Sequence, residues 1–162
     1  MNRTERYIQK LLTSASIEDP DQLNMANIAA AFNVPFIFWE FSSEAVYYKG
    51  RYKIFINEDQ SEQKQNFDYY HEFGHTRTHV GTQQELPTPF LQLQESQANY
   101  FAYHLAVPTF MLDRIRLPPA YMEAIRLICN TFNVEPCVAA TRLEMYQNKQ
   151  LERLEKSYLK RR

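Results

Sequence analysis

The five residues His71-Glu72-Phe73-Gly74-His75 constrain this chain more than any other stretch, because their spacing has chemical meaning only on a helix. On an α-helix, residues four apart share one face about one turn apart, so both imidazoles can reach a single ion. Glu72 follows His71 by one position, rotated about 100° around the axis. It therefore lies beside the ion without binding it, within reach of a water there. Two nitrogen ligands, an open coordination position and a neighbouring carboxylate base make up the H-E-x-x-H zinc-protease arrangement.

The surrounding sequence predicts the helix that this motif needs. Asp59, with Glu62 three residues later, forms a capping-box pattern after an apolar, strand-like run. No proline occurs from Ser61 to His79, and the lone glycine, Gly74, lies inside the motif. Glycine costs about 1 kcal/mol in a helix interior. Its presence predicts that another backbone approaches closely at that point.

Composition bounds the rest. A chain of 162 residues is expected to form a single domain, 1–162, with a core over about 20–110 and a helical segment over about 120–160. The hydrophobic fraction of 44 %, with eleven Phe and eleven Tyr, fits a folded globule and excludes a disordered chain. A net charge of −1 implies no general pull toward nucleic acid or an anionic membrane. The apolar runs are too short to span a bilayer, and the charged N-terminus lacks the apolar core of a signal peptide. Cys129 and Cys137 make no disulfide framework. A cytoplasmic location is the expectation.

Taken in order, residues 3–14 carry Tyr7, Ile8, Leu11 and Leu12 at helical spacing. Asp19-Pro20 with Gln22 predicts a capped start for a second helix, which ends near Asn33-Val34-Pro35. The aromatic and β-branched run from Phe36 to Phe41 reads as a strand. Ala45 to Tyr48 and Arg51 to Ile56 follow as two more, joined at Lys49-Gly50 by a hairpin signal. A small antiparallel sheet of about three strands thus precedes the motif helix. An edge strand beside a metal can pair with an extended substrate backbone. Which strand is that edge is not legible. A loop over 81–89 ends in Thr88-Pro89, which caps a helix from about Phe90 to Val107, interrupted by Pro108; further helices are predicted from Ala120 to Phe132 and from Pro136 to about Lys160. The fold class expected is α+β, mainly helical and zincin-like.

Catalytic zinc sites have three protein ligands. The metzincin pattern is not met, because Gly81 stands where its third histidine would fall. A carboxylate from a second helix is the alternative, and Glu95 is the best candidate. Ala98 and Ala102, at +3 and +7, share its face and are small enough for two helices to approach closely. Asn99, at +4, is placed to hydrogen-bond a ligand. Among competitors, Glu85 sits in a loop, His79 lies one turn too far along, and His104 is about 180° around the helix from Glu95. No tyrosine among Tyr69, Tyr70, Tyr100 and Tyr103 is singled out as catalytic.

With these residues in place, the chain resembles the ImmA/IrrE family of metallopeptidases. His-Glu-Phe-Gly-His is followed by Glu95-x-x-Ala98-Asn99-x-Phe101-Ala102-x-x-Leu105-x-x-Pro108, a pattern similar to the family's in both halves. The segment from Phe132 through Leu143 is similar to the helical segment that follows the family's core, and the likeness covers about residues 20–146. One departure is polar Thr76-Arg77-Thr78, where the family usually carries apolar residues. The resemblance implies Zn2+ held by His71, His75 and Glu95, with Glu72 as general base. It also implies a zinc-dependent endopeptidase whose protein substrate is a helix-turn-helix transcriptional repressor of a mobile element or stress response.

Two other classes compete with an enzyme. One is a non-catalytic regulatory binding module on the same fold, in which Glu72 would have no purpose. The other is direct DNA binding through the helices from Ala120 to Tyr146, which Glu123, Glu135, Glu144 and the near-neutral charge disfavour. No direct nucleic-acid or membrane partner is therefore expected.

Overall fold

The computed structural model of the chain describes residues 1–78 and 88–159. His79, Glu85 and the loop expected over 81–89, up to residue 87, lie outside the described residues; Thr88 and Pro89, expected as the end of that loop, already belong to the next helix. The elements, in order, are α1 (Arg3–Ser14), a 3-10 turn (Pro20–Gln22), α2 (Met25–Phe32), β1 (Phe36–Trp39), β2 (Glu44–Tyr48), β3 (Arg51–Asn57), α3 (Glu62–Thr78), α4 (Thr88–Ala106), α5 (Thr109–Leu112), α6 (Tyr121–Phe132) and α7 (Pro136–Leu159). The fold is mainly helical α+β, as expected. No described helix is long and apolar enough to cross a membrane.

Local chemistry sets the helix ends, in two places differently from the sequence expectation. Asp19 and Gln22 do form a capping box, but it closes only the 3-10 turn; Asn24 then caps α2, its side chain accepting from the Asn27 N–H at 2.9 Å. Asn33, in the left-handed region at φ 53°, ends α2. The motif helix α3 is capped by Ser61, whose hydroxyl accepts from the Lys64 N–H at 3.2 Å, and not by Asp59. Asp59 instead donates its N–H to the Asn57 side chain at 2.8 Å, inside the turn that leads out of β3.

The sheet corrects one detail. It is mixed, not all antiparallel, with strand order β1-β3-β2. β2 and β3 are antiparallel, while β1 runs parallel to β3 with Phe36 opposite Ile54. The geometry follows from two reversals. The hairpin at Lys49-Gly50, with φ values of 49° and 80°, fills one edge of β3 and leaves only the other for β1. The chain turns back once between β1 and β2 and again between β2 and β3, so the first and third strands point the same way. Ile54 and Ile56 of central β3 are fully buried against α3.

The layer that matters for the site is the α3–α4 pair. A Cβ built on Gly74 would stand 3.0 Å from Phe101 Cδ1 and 3.5 Å from the Ala98 Cα of α4. The predicted close backbone approach is therefore present, and it occurs within the motif. Phe101 is 2 % exposed and packs against Tyr7 and Phe73, so its ring has little room to retreat. The polar end of α3 is also accounted for. Arg77 lays its guanidinium 4.7 Å from the Phe73 ring centre and 5.2 Å from that of Phe32, covering apolar surface in place of an aliphatic side chain.

Behind α4 lies a buried polar junction. Thr109 donates to Glu5 at 2.8 Å and accepts from Arg142 at 2.6 Å, and Arg142 also donates to the Val107 carbonyl at 3.0 Å. Lys149 pairs with the same Glu5. This knot ties α1, α5 and α7 to one another at the far end of α4. His104, also buried there, is held neutral: burial, with Arg142 nearby, pushes its pKa down to about 3. The joint between α6 and α7 is engaged too, since Asn133 hydrogen-bonds Glu62 and Gln63 at the start of α3.

Replacing Gly74 tests this packing. Alanine gains about 1 kcal/mol of helix propensity, but its methyl group must displace a wedged ring, which costs about 1–3 kcal/mol. Gly74→Ala is expected to lower Tm by a few degrees in a thermal melt. An unchanged or raised Tm would show that α4 is not held against α3 at this point.

Candidate metal centre

α3 and α4 bring His71, His75 and Glu95 together, and these are the residues that the sequence singled out. Their candidate donor atoms all lie within 4.8 Å of one another. The two imidazole Nε2 atoms are 3.1 Å apart. Glu95 places Oε2 3.3 Å from His71 Nε2 and Oε1 3.4 Å from His75 Nε2. The histidines come from successive turns of α3, and Glu95 reaches across from α4 because Gly74 and Ala98 let the two backbones close up.

These distances test whether the residues fit an ion. A tetrahedral ion with bonds of about 2.0–2.1 Å sets its ligand atoms about 3.3 Å apart. The observed separations of 3.1, 3.3 and 3.4 Å match that spacing. The donor set, two imidazole nitrogens and one carboxylate, is that of a catalytic zinc site and is too nitrogen-rich for calcium or magnesium. The residues fit zinc.

Asn99 completes the arrangement. Its Oδ1 lies 3.0 Å from His71 Nδ1, so Nδ1 carries the proton and Nε2 turns its lone pair toward Glu95 and His75. His104 takes no part, since it is buried on the other side of α4. The tyrosines near the motif are also occupied elsewhere. Tyr69 donates to the Val34 carbonyl at 2.8 Å and Tyr70 to the Leu23 carbonyl at 3.3 Å, and burial raises both phenol pKa values.

Glu72 stands next to the donor cluster without joining it. Its Oε1 lies 4.0 Å from His71 Nε2, while Oε2 accepts the Ala45 backbone N–H at 2.8 Å. Burial pushes its pKa up to about 8; Glu95, Asp68 and Glu44 add to the rise, and the Ala45 hydrogen bond opposes it. One carboxylate oxygen is thus fixed by β2, and the other faces the cluster. A residue that the sequence reading missed does the fixing. The signal was present in the hairpin: the Lys49-Gly50 turn makes Tyr48 and Arg51 a paired couple, so Val46 and Glu44 also bond toward β3. Ala45 and Tyr47 must then turn their backbone groups to the free edge. That this edge faces α3 is tertiary information.

Comparison with known proteins agrees with this geometry. The sequence model of the Peptidase M78 family, described as the IrrE N-terminal-like domain, matches residues 29–144. The chain belongs to this family. Its match begins in α2, spans the sheet, α3 and α4, and ends in α7, so it encloses the whole donor cluster. The family carries a metallopeptidase-type fold, as the ImmA/IrrE resemblance implied. Among relatives, the uncharacterized protein YqaB of Bacillus subtilis (strain 168) is 33% identical over 150 residues, 93% of this chain and 87% of that protein. The phage-like element PBSX protein XkdA of the same organism is 34% identical over 149 residues, 92% of this chain and 75% of that protein.

If Asn99 orients His71, removing its amide should weaken metal binding without unfolding the chain. Asn99→Ala is expected to lower zinc affinity about 10–100-fold in a competitive chelator titration. Affinity within a factor of two of wild type would show that the hydrogen bond does not set the ligand's orientation.

Proposed function

We propose that the protein is a zinc-dependent endopeptidase, with His71, His75 and Glu95 holding the ion and Glu72 as general base. The observation that carries this reading is the placement of Glu72, anchored at one oxygen by Ala45 and 4.0 Å from a ligand nitrogen at the other. A structural metal site has no use for a carboxylate held in that position, and this favours catalysis over a binding module. Zinc bound here supplies a Lewis acid, lowering the pKa of a bound water toward about 7 and polarising a carbonyl oxygen.

The chain's own residues supply the rest. Glu72 accepts the proton of the attacking water at Oε1, while Oε2 stays on the Ala45 N–H so that the carboxylate does not rotate away. Burial raises its proton affinity above that of an exposed carboxylate, so it can hold the proton until it passes it to the leaving amine. β2 lies at the sheet edge on the Glu72 side, with the Tyr47 N–H and C=O turned away from β3. An extended substrate backbone can add to that edge and bring its scissile bond over the cluster.

For the substrate, we infer a helix-turn-helix repressor, as the ImmA/IrrE resemblance implies. The similarity to a protein of a phage-like element supports a role on a mobile element. Coexpression with a repressor encoded beside the gene tests both parts. The wild type is expected to cut the repressor, and Glu72→Gln to retain zinc while the cleavage rate falls about 10²–10⁴-fold. Cleavage at the wild-type rate by Glu72→Gln would remove Glu72 as the base.

A further inference from the structure

A groove of about 600 Å³ opens beside the donor cluster. One bank is the face of α4 that carries Glu95 and Asn99, and the facing bank includes Met145 of α7. Away from the cluster Leu91, Tyr100, Tyr103 and Met145 give its walls most of their surface, with Thr88, Gln92 and Ser96 between them. The groove therefore has a polar end at Glu95 and Asn99 and a mostly apolar body. Among the described residues no cationic side chain lines it.

Three features suit this groove to apolar side chains. Its volume falls in the range of ligand-binding clefts and holds more than one side chain. Tyr103 is braced by Phe67 of α3, with ring centres 5.1 Å apart, so that wall is fixed to the helix that carries both histidines. Met145 has an unbranched thioether that adapts to differently shaped apolar groups.

We propose that this groove is the specificity site of the peptidase, taking aliphatic or aromatic side chains of the substrate segment that flanks the scissile bond. The proposal rests on the metallopeptidase reading, because Glu95 is at once a metal ligand and part of the groove wall. A peptide bond placed at the cluster sets its neighbouring side chains against Leu91, Tyr103 and Met145. An acidic side chain set against Leu91, Tyr103 and Met145 loses its hydration with no described cationic side chain lining the groove to offset the loss, so it is disfavoured.

The test uses the zinc-loaded full chain and three hydroxamates, which chelate zinc. One is acetohydroxamate; the other two differ only in an isobutyl or a carboxymethyl side chain beside the chelating group. Calorimetry gives Kd values for wild type, Met145→Lys and Leu91→Lys, with zinc content measured for each protein. Wild type is expected to bind the isobutyl compound about tenfold or more tighter than the carboxymethyl one. In either lysine variant that ratio should collapse or invert, and two variants guard against one failing to fold. If acetohydroxamate binds but the ratio is near one in wild type, or is unchanged in both folded variants, the groove is not the specificity site. If wild type retains zinc yet acetohydroxamate does not bind, or zinc is not retained, the metallopeptidase reading fails and the groove assignment falls with it.

Discussion

The contact between Gly74 of α3 and Ala98 of α4 is the constraint on which the rest depends. Two histidines on one helix supply only two ligands, and the third must come from another backbone at short range. A side chain at position 74 would meet Phe101 at 3.0 Å, so glycine at that position lets α4 lie where Glu95 reaches the histidines. The helix-propensity penalty of an interior glycine is offset by what the close approach permits. The same α4 segment brings Asn99 to His71 Nδ1, so in the proposed site one helix would provide both a ligand and the group that orients another.

Two further supports hold this pair in place. On the sheet side, the turn at Lys49-Gly50 fixes the register of β2, and that register aims the Ala45 N–H at Glu72. On the far side, Glu5, Thr109, Arg142 and Lys149 form a buried polar knot at the end of α4. Each charged group there has a partner, which limits the cost of burying it. The candidate site is thus built on helices and a hairpin, with the donor cluster at the α3–α4 seam and the edge strand beside it.

What was legible in the sequence was local. The His71, Glu72 and His75 pattern needs only helical periodicity; α1 follows from periodicity, and α6 and α7 from the breaks at Pro118-Pro119 and Pro136. Glu95 was legible because the small residues at +3 and +7 mark a helix face made for close packing. The parallel pairing of β1 was not, since it depends on which edge of β3 the hairpin leaves open. Nor was the cap of α3. Asp59 and Ser61 both carry capping side chains, and the choice fell to Ser61 because the Asp59 backbone is engaged by Asn57. The four-residue α5 is too short to announce itself by periodicity. Ala45 has no chemical side chain, so only tertiary structure reveals that its backbone holds Glu72.

The most direct test of the central claim is the zinc content of the purified protein beside His71→Ala and Glu95→Gln variants, each loaded under metal-replete conditions and measured with a fold check by circular dichroism. The account predicts about one zinc per chain in the wild type and loss of the ion in both folded variants, one from each helix. Wild-type protein that takes up no zinc, or a Glu95→Gln variant that holds it as tightly as wild type, would contradict a site shared between α3 and α4.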